Sequence, residues 1–128
     1  MSAANTTAGI NQIGQIAVPV TDVDRAIAFY RDKLGMKFLF KAPPGLGFFD
    51  CGGVRLMLDS PAKDNAGQGS VIYYKVDHLQ DVVKEIAGRG VTFEAEPHLI
   101  ARMPDHELWM AFLRDPDNNL LALMAEVR

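Results

Sequence analysis

Residues 15–22 read Gln-Ile-Ala-Val-Pro-Val-Thr-Asp and are followed by a helical pattern that ends at Gly35. Residues 71–77 read Val-Ile-Tyr-Tyr-Lys-Val-Asp and are followed by a second helical pattern that ends at Gly90. The two stretches are offset by 55 to 56 residues, and a repeat at such a period indicates one supersecondary unit that builds a shared core. We therefore expect one domain made of two similar halves.

Each half predicts the same order of elements. The Ile- and Val-rich residues predict a strand, and Asp22 and Asp77 then predict helix N-caps, because a carboxylate accepts the free N–H groups of the first helical turn. Three short strands are expected after each helix. The predicted fold class is α+β, with two βαβββ repeats at 12–59 and 70–127 that form a curved mixed sheet around a cleft, helices on the outer face. Residues 60–69 are predicted to link the repeats, and residues 1–11 to be a disordered tail before a single domain at 12–128.

Composition and charge exclude several classes of partner. The chain has 128 residues, 48% of them hydrophobic and 23% charged, which is typical of a soluble globular domain. A net charge of −3 without a basic cluster argues against nucleic acid, and no apolar run approaches the about 20 residues that span a membrane. The first residues lack a secretory signal pattern, and Cys51 is the single cysteine, so we expect a cytoplasmic protein.

Two segments carry a resemblance to a known family. Residues 16–35 read Ile-Ala-Val-Pro-Val-Thr-Asp-Val-Asp-Arg-Ala-Ile-Ala-Phe-Tyr-Arg-Asp-Lys-Leu-Gly, and residues 112–123 read Phe-Leu-Arg-Asp-Pro-Asp-Asn-Asn-Leu-Leu-Ala-Leu. Both resemble the vicinal oxygen chelate superfamily, which includes glyoxalases, bleomycin-resistance proteins and ring-cleaving dioxygenases. The resemblance covers residues 12–127 and implies a fold whose cleft binds small molecules.

The resemblance also implies where a catalytic member would hold a divalent metal. The four ligand positions fall on Gln15, Leu56, Val71 and Ala122, with Leu56 and Ala122 as counterparts in the two halves. Such a metal needs oxygen or nitrogen donors, and only Gln15 offers one. We therefore expect neither a metal nor another cofactor. Strand alternation turns Gln15, Val71 and Tyr73 towards the cleft, with core packing as the alternative for Tyr73. Together with Leu56 and Ala122, which the resemblance adds, they are the predicted lining of a largely apolar ligand cleft.

A second group of candidates lies in residues 94–109, where Pro97 and Pro104 predict a stiff exposed connection rather than a continuous strand. Its distinctive side chains are His98, Arg102, His106, Glu107 and Trp109. The favoured interpretation is a solvated loop with Trp109 packed in the core. The alternative is a rim of the cleft at which Arg102 and Trp109 contact a ligand, and no recognised spacing supports a metal on the two histidines and Glu107.

The leading function is a small-molecule-binding protein of the glyoxalase/bleomycin-resistance type, without the family metal. One alternative is a metal-dependent glyoxalase-like lyase, isomerase or dioxygenase. The other is a metal-free enzyme that uses His98, His106 or Glu107 as acid or base. The resemblance and the exposed sheet edges of a βαβββ unit both predict a homodimer. In the bleomycin-resistance branch that the chain resembles, the partner subunit completes each cleft, and two arrangements are open here: a cleft within one chain or a cleft across the dimer.

Overall fold

The computed structural model describes residues 9–62 and 65–128, and their helices and strands follow the predicted order. Residues 1–8 of the predicted tail and residues 63–64 of the predicted linker lie outside the described residues. The elements are β1 (Gln15–Pro19), α1 (Val23–Ala28), β2 (Lys37–Ala42), β3 (Leu46–Cys51), β4 (Val54–Asp59), β5 (Ile72–Lys75), α2 (Leu79–Gly88), β6 (Phe93–Arg102), β7 (Glu107–Arg114) and β8 (Leu120–Val127). A π-helical turn, Phe29–Lys33, extends α1. No helix in these ranges is long and apolar enough to cross a membrane.

The eight strands form two sheets of four, one from each half. Their strand orders are β1-β4-β3-β2 and β5-β8-β7-β6. In each sheet the strand before the helix runs parallel to the last strand, and the other pairs are antiparallel. The structure therefore confirms the α+β fold class and the two βαβββ repeats. No strand pairing joins the two sheets within the described residues.

One face of each sheet packs against its helix and forms the core. Val18 of β1 and Leu58 of β4 are paired on this face in the first half, and Ile86 of α2, Leu113 of β7 and Leu123 of β8 are buried in the second. All these side chains belong to a single buried cluster that includes residues of both halves. We call the other face of each sheet, which is turned away from the helix, the open face.

The two helices begin in different ways although their sequences are related. Asp22 caps α1 as predicted, because its Oδ1 accepts hydrogen bonds from the backbone N–H groups of Asp24 at 3.1 Å and Arg25 at 3.2 Å. The prediction for Asp77 is wrong, since His78 occupies the cap position of α2 and makes no side-chain capping bond. A constant offset of 56 residues explains this, because it aligns Asp22 with His78 and leaves Asp77 one residue too early.

Residues 94–109 also differ from the prediction. They form most of β6, a tight connection and the start of β7 instead of one long exposed loop. Pro97 is tolerated because β6 is the edge strand of its sheet and its pairing with β7 shifts between Ala95 and His98. A proline that cannot donate a ladder hydrogen bond is compatible with such an irregular edge.

A buried polar cluster, which we call the junction cluster, connects the last turn of the chain to the first helix. The Asp115 carboxylate accepts hydrogen bonds from the Tyr30 hydroxyl at 2.8 Å and from the Asn119 side-chain amide at 2.9 Å. It also accepts the backbone N–H groups of Asp117 and Asn119, each at 2.9 Å. Burial and the negative charge of Asp115 raise the pKa of Tyr30, so its hydroxyl keeps the proton that it donates. Asp117 in turn accepts the backbone N–H of Thr21 at 2.9 Å.

We expect Tyr30→Phe to lower the free energy of unfolding by about 1–3 kcal/mol, because it removes a donor from a buried carboxylate. Urea unfolding followed by circular dichroism measures the change. Tyr74→Phe is the matched control, since the Tyr74 hydroxyl is also buried but has no hydrogen-bond partner among the described residues. Its effect should stay within about 0.5 kcal/mol. Equal losses of unfolding free energy in the two variants would show that the hydrogen bond from Tyr30 to Asp115 does not itself stabilise the fold.

Candidate functional site

The open face of the first half combines two phenylalanines with one guanidinium. Phe40 and Phe48 are paired across β2 and β3, with ring centroids 4.8 Å apart. The Arg55 guanidinium lies over both rings, 5.5 Å from the Phe48 centroid and 5.9 Å from the Phe40 centroid. Such cation–π contacts hold the cation against the sheet. Phe48 is only 8% exposed and Phe40 is 45% exposed, so the pair presents one accessible aromatic surface.

Gln15 lies beside this arginine. The two residues are direct partners in the parallel pairing of β1 and β4, so both side chains are on the open face. The Gln15 amide donates a long, weak hydrogen bond to the Met57 sulfur at 3.6 Å. Gln15 therefore faces the open side as predicted, next to a cation that the sequence reasoning did not single out.

The expectation that Leu56 lines the cleft is wrong. Leu56 pairs with Ile16, is 2% exposed and belongs to the core on the helix side of the sheet. Its neighbour Met57, which pairs with Ala17, occupies the open face instead. The error comes from counting residues from the preceding turn, because the turn at 52–53 is shorter than the turn at 115–119. By strand pairing the counterpart of Ala122 is Met57.

The open face of the second half is also aromatic. Tyr73 pairs with Ala122, and the Tyr73 ring meets the edge of the Phe112 ring at a centroid distance of 6.3 Å. The His98 ring lies 6.3 Å from Phe112 on the other side. Val71 is half-buried and directly precedes β5. By strand pairing Tyr73 and Ala122 lie on the open face, but Ala122 is 0% exposed and offers no surface to a ligand. The accessible side chains of this face are Tyr73, Phe112 and His98.

The two open faces remain separate surfaces within the chain. Among the described residues, no hydrogen bond, ion pair or ring contact joins open-face side chains of one half to those of the other. Phe40 is 45% exposed and Tyr73 is 47% exposed, one in each half. β1 and β5 are edge strands of their sheets, and residues of both line a common cavity with Tyr30 and Asn119. A single enclosed cleft is therefore not formed by the described residues alone.

Three of the five candidates in the β6–β7 hairpin, Arg102, His106 and Glu107, line one cavity at the hairpin tip, whereas His98 and Trp109 lie on opposite faces of the sheet. His98 is on the open face, where it pairs with Met110. Arg102 and Glu107 are paired near the hairpin tip, 3.3 Å apart, and the Trp109 indole N–H donates to Glu107 at 3.1 Å. Trp109 packs against the core on the helix side, which is the interpretation favoured from the sequence rather than a ligand contact. His106 lies in the connecting turn, where its Nδ1 is 2.7 Å from the Asp105 carboxylate.

The donors near Gln15 do not fit a divalent metal. Its open-face neighbours are Ala17, Met57 and the positively charged Arg55, none of which offers an oxygen donor. In the described ranges, no group of three His, Cys, Asp or Glu side chains is close enough together to hold an ion. A hard cation exchanges water only for several oxygen or nitrogen ligands. The side chains around Gln15 can instead bind an organic group through stacking, apolar contact and hydrogen bonds.

A nucleophilic role for Cys51 is equally unsupported. Its thiol is partly buried, and burial together with the nearby Asp50 carboxylate raises its pKa. A reactive thiolate needs the opposite environment, with a neighbouring cation or a helix N-terminus.

Comparison with known proteins adds the family. A model described as the Glyoxalase/Bleomycin resistance protein/Dioxygenase superfamily matches residues 12–123. The chain belongs to this superfamily. A glyoxalase/bleomycin resistance protein/dioxygenase from Alicyclobacillus acidocaldarius is 23% identical, with 95% of this chain and 96% of that chain covered and a TM-score of 0.70. No curated protein matches the chain.

Two further solved structures show the breadth of the superfamily. A lactoylglutathione lyase from Agrobacterium tumefaciens is 25% identical over 91% of this chain and 95% of that chain, with a TM-score of 0.72. A superfamily member from Sphaerobacter thermophilus is 24% identical over 91% and 98% of the two chains, with a TM-score of 0.74. The fold expected from the sequence is confirmed. One fold supports many chemistries, so these likenesses do not determine a substrate.

Two substitutions in β4 test which of its neighbouring side chains, Leu56 or Met57, belongs to the core. Leu56→Ala should lower the free energy of unfolding by about 2–5 kcal/mol, because it leaves a cavity in the buried cluster. Met57→Ala should cost less than about half as much, since the half-buried methionine borders solvent on the open face. Guanidinium unfolding of the two variants measures both values. A larger loss for Met57→Ala than for Leu56→Ala would mean that Met57, and not Leu56, faces the core.

Proposed function

We propose that this superfamily member binds a small organic molecule on its open faces without a divalent metal. The single observation that carries the proposal is the accessible aromatic surface of each half, bordered by only a few polar groups. Phe40 and Phe48 form it beside Arg55 in the first half, and Tyr73 and Phe112 form it beside His98 in the second. Ligand pockets are commonly built in this way, with apolar walls for affinity and a few polar groups for orientation.

A metal-dependent glyoxalase-like lyase, isomerase or dioxygenase is less well supported. The similarity to a lactoylglutathione lyase favours it at the level of fold. The residues around Gln15 oppose it, because the Arg55 guanidinium in the neighbouring strand repels a divalent cation. The one carboxylate in the same row, Asp50, lies on the far side of Arg55 from Gln15 and accepts the backbone N–H of Gly53.

A metal-free enzyme remains the second candidate because of His98 alone. Its Nδ1 is 2.7 Å from the backbone carbonyl oxygen of Glu96, which can only accept a hydrogen bond. The proton of the neutral ring must therefore be on Nδ1, which leaves the lone pair of Nε2 available as a general base on the open face. His106 and Glu107 belong to the distant hairpin tip and share no such surface with Phe112.

We further propose that the protein is a cytoplasmic homodimer. Unpaired backbone groups along the edge strands β2 and β6 support association, and so do the exposed side chains of Leu39 and Ile100 on them. A second subunit placed over the open faces would reduce the exposure of Phe40 and Tyr73 and would deepen each binding surface. Cys51 is the only cysteine of the sequence, which is compatible with a reducing compartment.

A thermal-shift screen of small organic compounds, run in parallel with divalent metal ions and with EDTA, tests the binding function. Organic ligands should raise the melting temperature, since a compound at 100 times its dissociation constant stabilises a fold by about 2.7 kcal/mol. Metal ions and EDTA should leave it unchanged. Mass spectrometry of the hit compounds after incubation with the protein would detect any chemical conversion of these compounds.

Two variants locate the binding of each hit. Phe40→Ala and Tyr73→Ala remove aromatic surface from one open face each, so one of them should weaken binding about tenfold. Lys84→Ala, on the solvent side of α2, should have no effect. Stabilisation by metal ions alone would contradict the proposal. Conversion of a hit that disappears in His98→Gln would establish the metal-free enzyme instead.

Sedimentation equilibrium at micromolar concentration tests the dimer. The expected mass is twice the 14.1 kDa of the chain. Ile100→Lys places a charge on the exposed edge strand β6 and should shift the equilibrium towards the monomer. Thr92→Lys, at an exposed position before that strand, serves as the control for the added charge. A monomer mass for the unmodified chain would contradict the proposal.

A further inference from the structure

We propose that the ligand of the first open face is an organic monocarboxylate with a flat apolar body, whose carboxylate binds Arg55. The inference rests on the proposed small-molecule function and specifies the chemical class of the ligand. It depends on the unpaired N–H groups of the Arg55 side chain and on the charged side chains around them.

The Arg55 guanidinium has its hydrogen-bonding capacity free. Its carbon atom is 5.5 Å and 5.9 Å from the two phenylalanine centroids, and these cation–π contacts use no N–H···O hydrogen bond. Among the described residues, its N–H groups donate no hydrogen bond and form no ion pair. A planar guanidinium with free N–H groups matches a carboxylate through two parallel hydrogen bonds.

The surrounding charges favour one negative charge at this position. Strand pairing places Lys37, Asp50 and Arg55 in one row across β2, β3 and β4, with Gln15 at its end. This row contains two cations and one carboxylate. Asp50 forms no ion pair with either cation, and its Oδ1 accepts the backbone N–H of Gly53 at 3.2 Å. Asp59, the other acid on this face of β4, is four residues away, about 13 Å along the strand.

The polar and apolar neighbours of Arg55 match the carboxylate and the flat apolar body of such a ligand, respectively. A thioether is a weak acceptor, so the Gln15 amide can turn from the Met57 sulfur to a carboxylate oxygen at little cost. The exposed Phe40 ring and the half-buried Met57 side chain then offer an apolar surface for a flat body, and the nearly buried Phe48 ring packs next to both. A dianion such as a phosphate monoester fits less well, because the row has an excess of only one positive charge.

Matched compounds provide the test. The screen contains carboxylic acids, each paired with its neutral amide, and 2-naphthoate with 2-naphthamide is the pair followed by isothermal titration calorimetry. The acid should bind at least about tenfold more tightly than the amide. Arg55→Gln should remove that preference, and Arg55→Lys should restore part of it, because lysine keeps the charge without the planar fork.

Arg31→Gln is the matched control. The Arg31 guanidinium also lies over a phenylalanine, 5.9 Å from the Phe38 centroid, but Phe38 packs towards the core on the helix side of the sheet. This variant should keep the full preference for the acid.

The possible failures can be distinguished. Equal binding of acids and amides, or a preference for acids that survives in Arg55→Gln, would overturn the carboxylate inference and leave the binding function intact. If no compound of either kind binds, both the inference and the proposed function are overturned.

Discussion

The buried carboxylate of Asp115 is the interaction on which the arrangement of the two halves depends. It accepts four hydrogen bonds, three from its own turn and one from Tyr30, which is 85 residues earlier in the chain. A buried charge is tolerated only when its oxygens are satisfied, so the turn and the first helix must meet in this geometry. Since the two sheets share no strand pairing, this contact and the common apolar core hold the repeats together.

The helices cover one face of each sheet, and this determines which side chains remain for function. Alternation along every strand sends the aliphatic residues to the helix side and leaves a second set on the open face. In both halves that second set is aromatic and accessible, which a purely structural surface does not require. The halves differ in their polar groups, with Arg55 and Gln15 on one side and His98 on the other. A duplicated scaffold thus presents two surfaces of different chemistry.

Two of the expectations that failed, those for Leu56 and Asp77, were each displaced by a single residue. Leu56 was placed by counting from the preceding turn, and Asp77 was chosen because it is the acidic residue that follows the strand. In a strand a displacement of one residue moves a side chain to the opposite face, so small counting errors have large consequences. Residues 94–109 failed differently, because two prolines suggested a loop where an irregular edge strand accommodates Pro97. Arg55 was overlooked because nothing in its local sequence marks it as a partner of Gln15.

The sequence by itself determined the repeat, the order of strands and helices, the Asp22 cap and the superfamily. Each of these follows from local patterns, namely hydrophobic period, capping residues and turn residues within a few positions of one another. Only the tertiary structure decided that Arg55 lies beside Gln15, that Tyr30 reaches Asp115 and that Met57 replaces Leu56 on the open face. These relations join residues that are far apart in the chain. They depend on the register between strands and on the packing of the two halves, which local patterns do not encode.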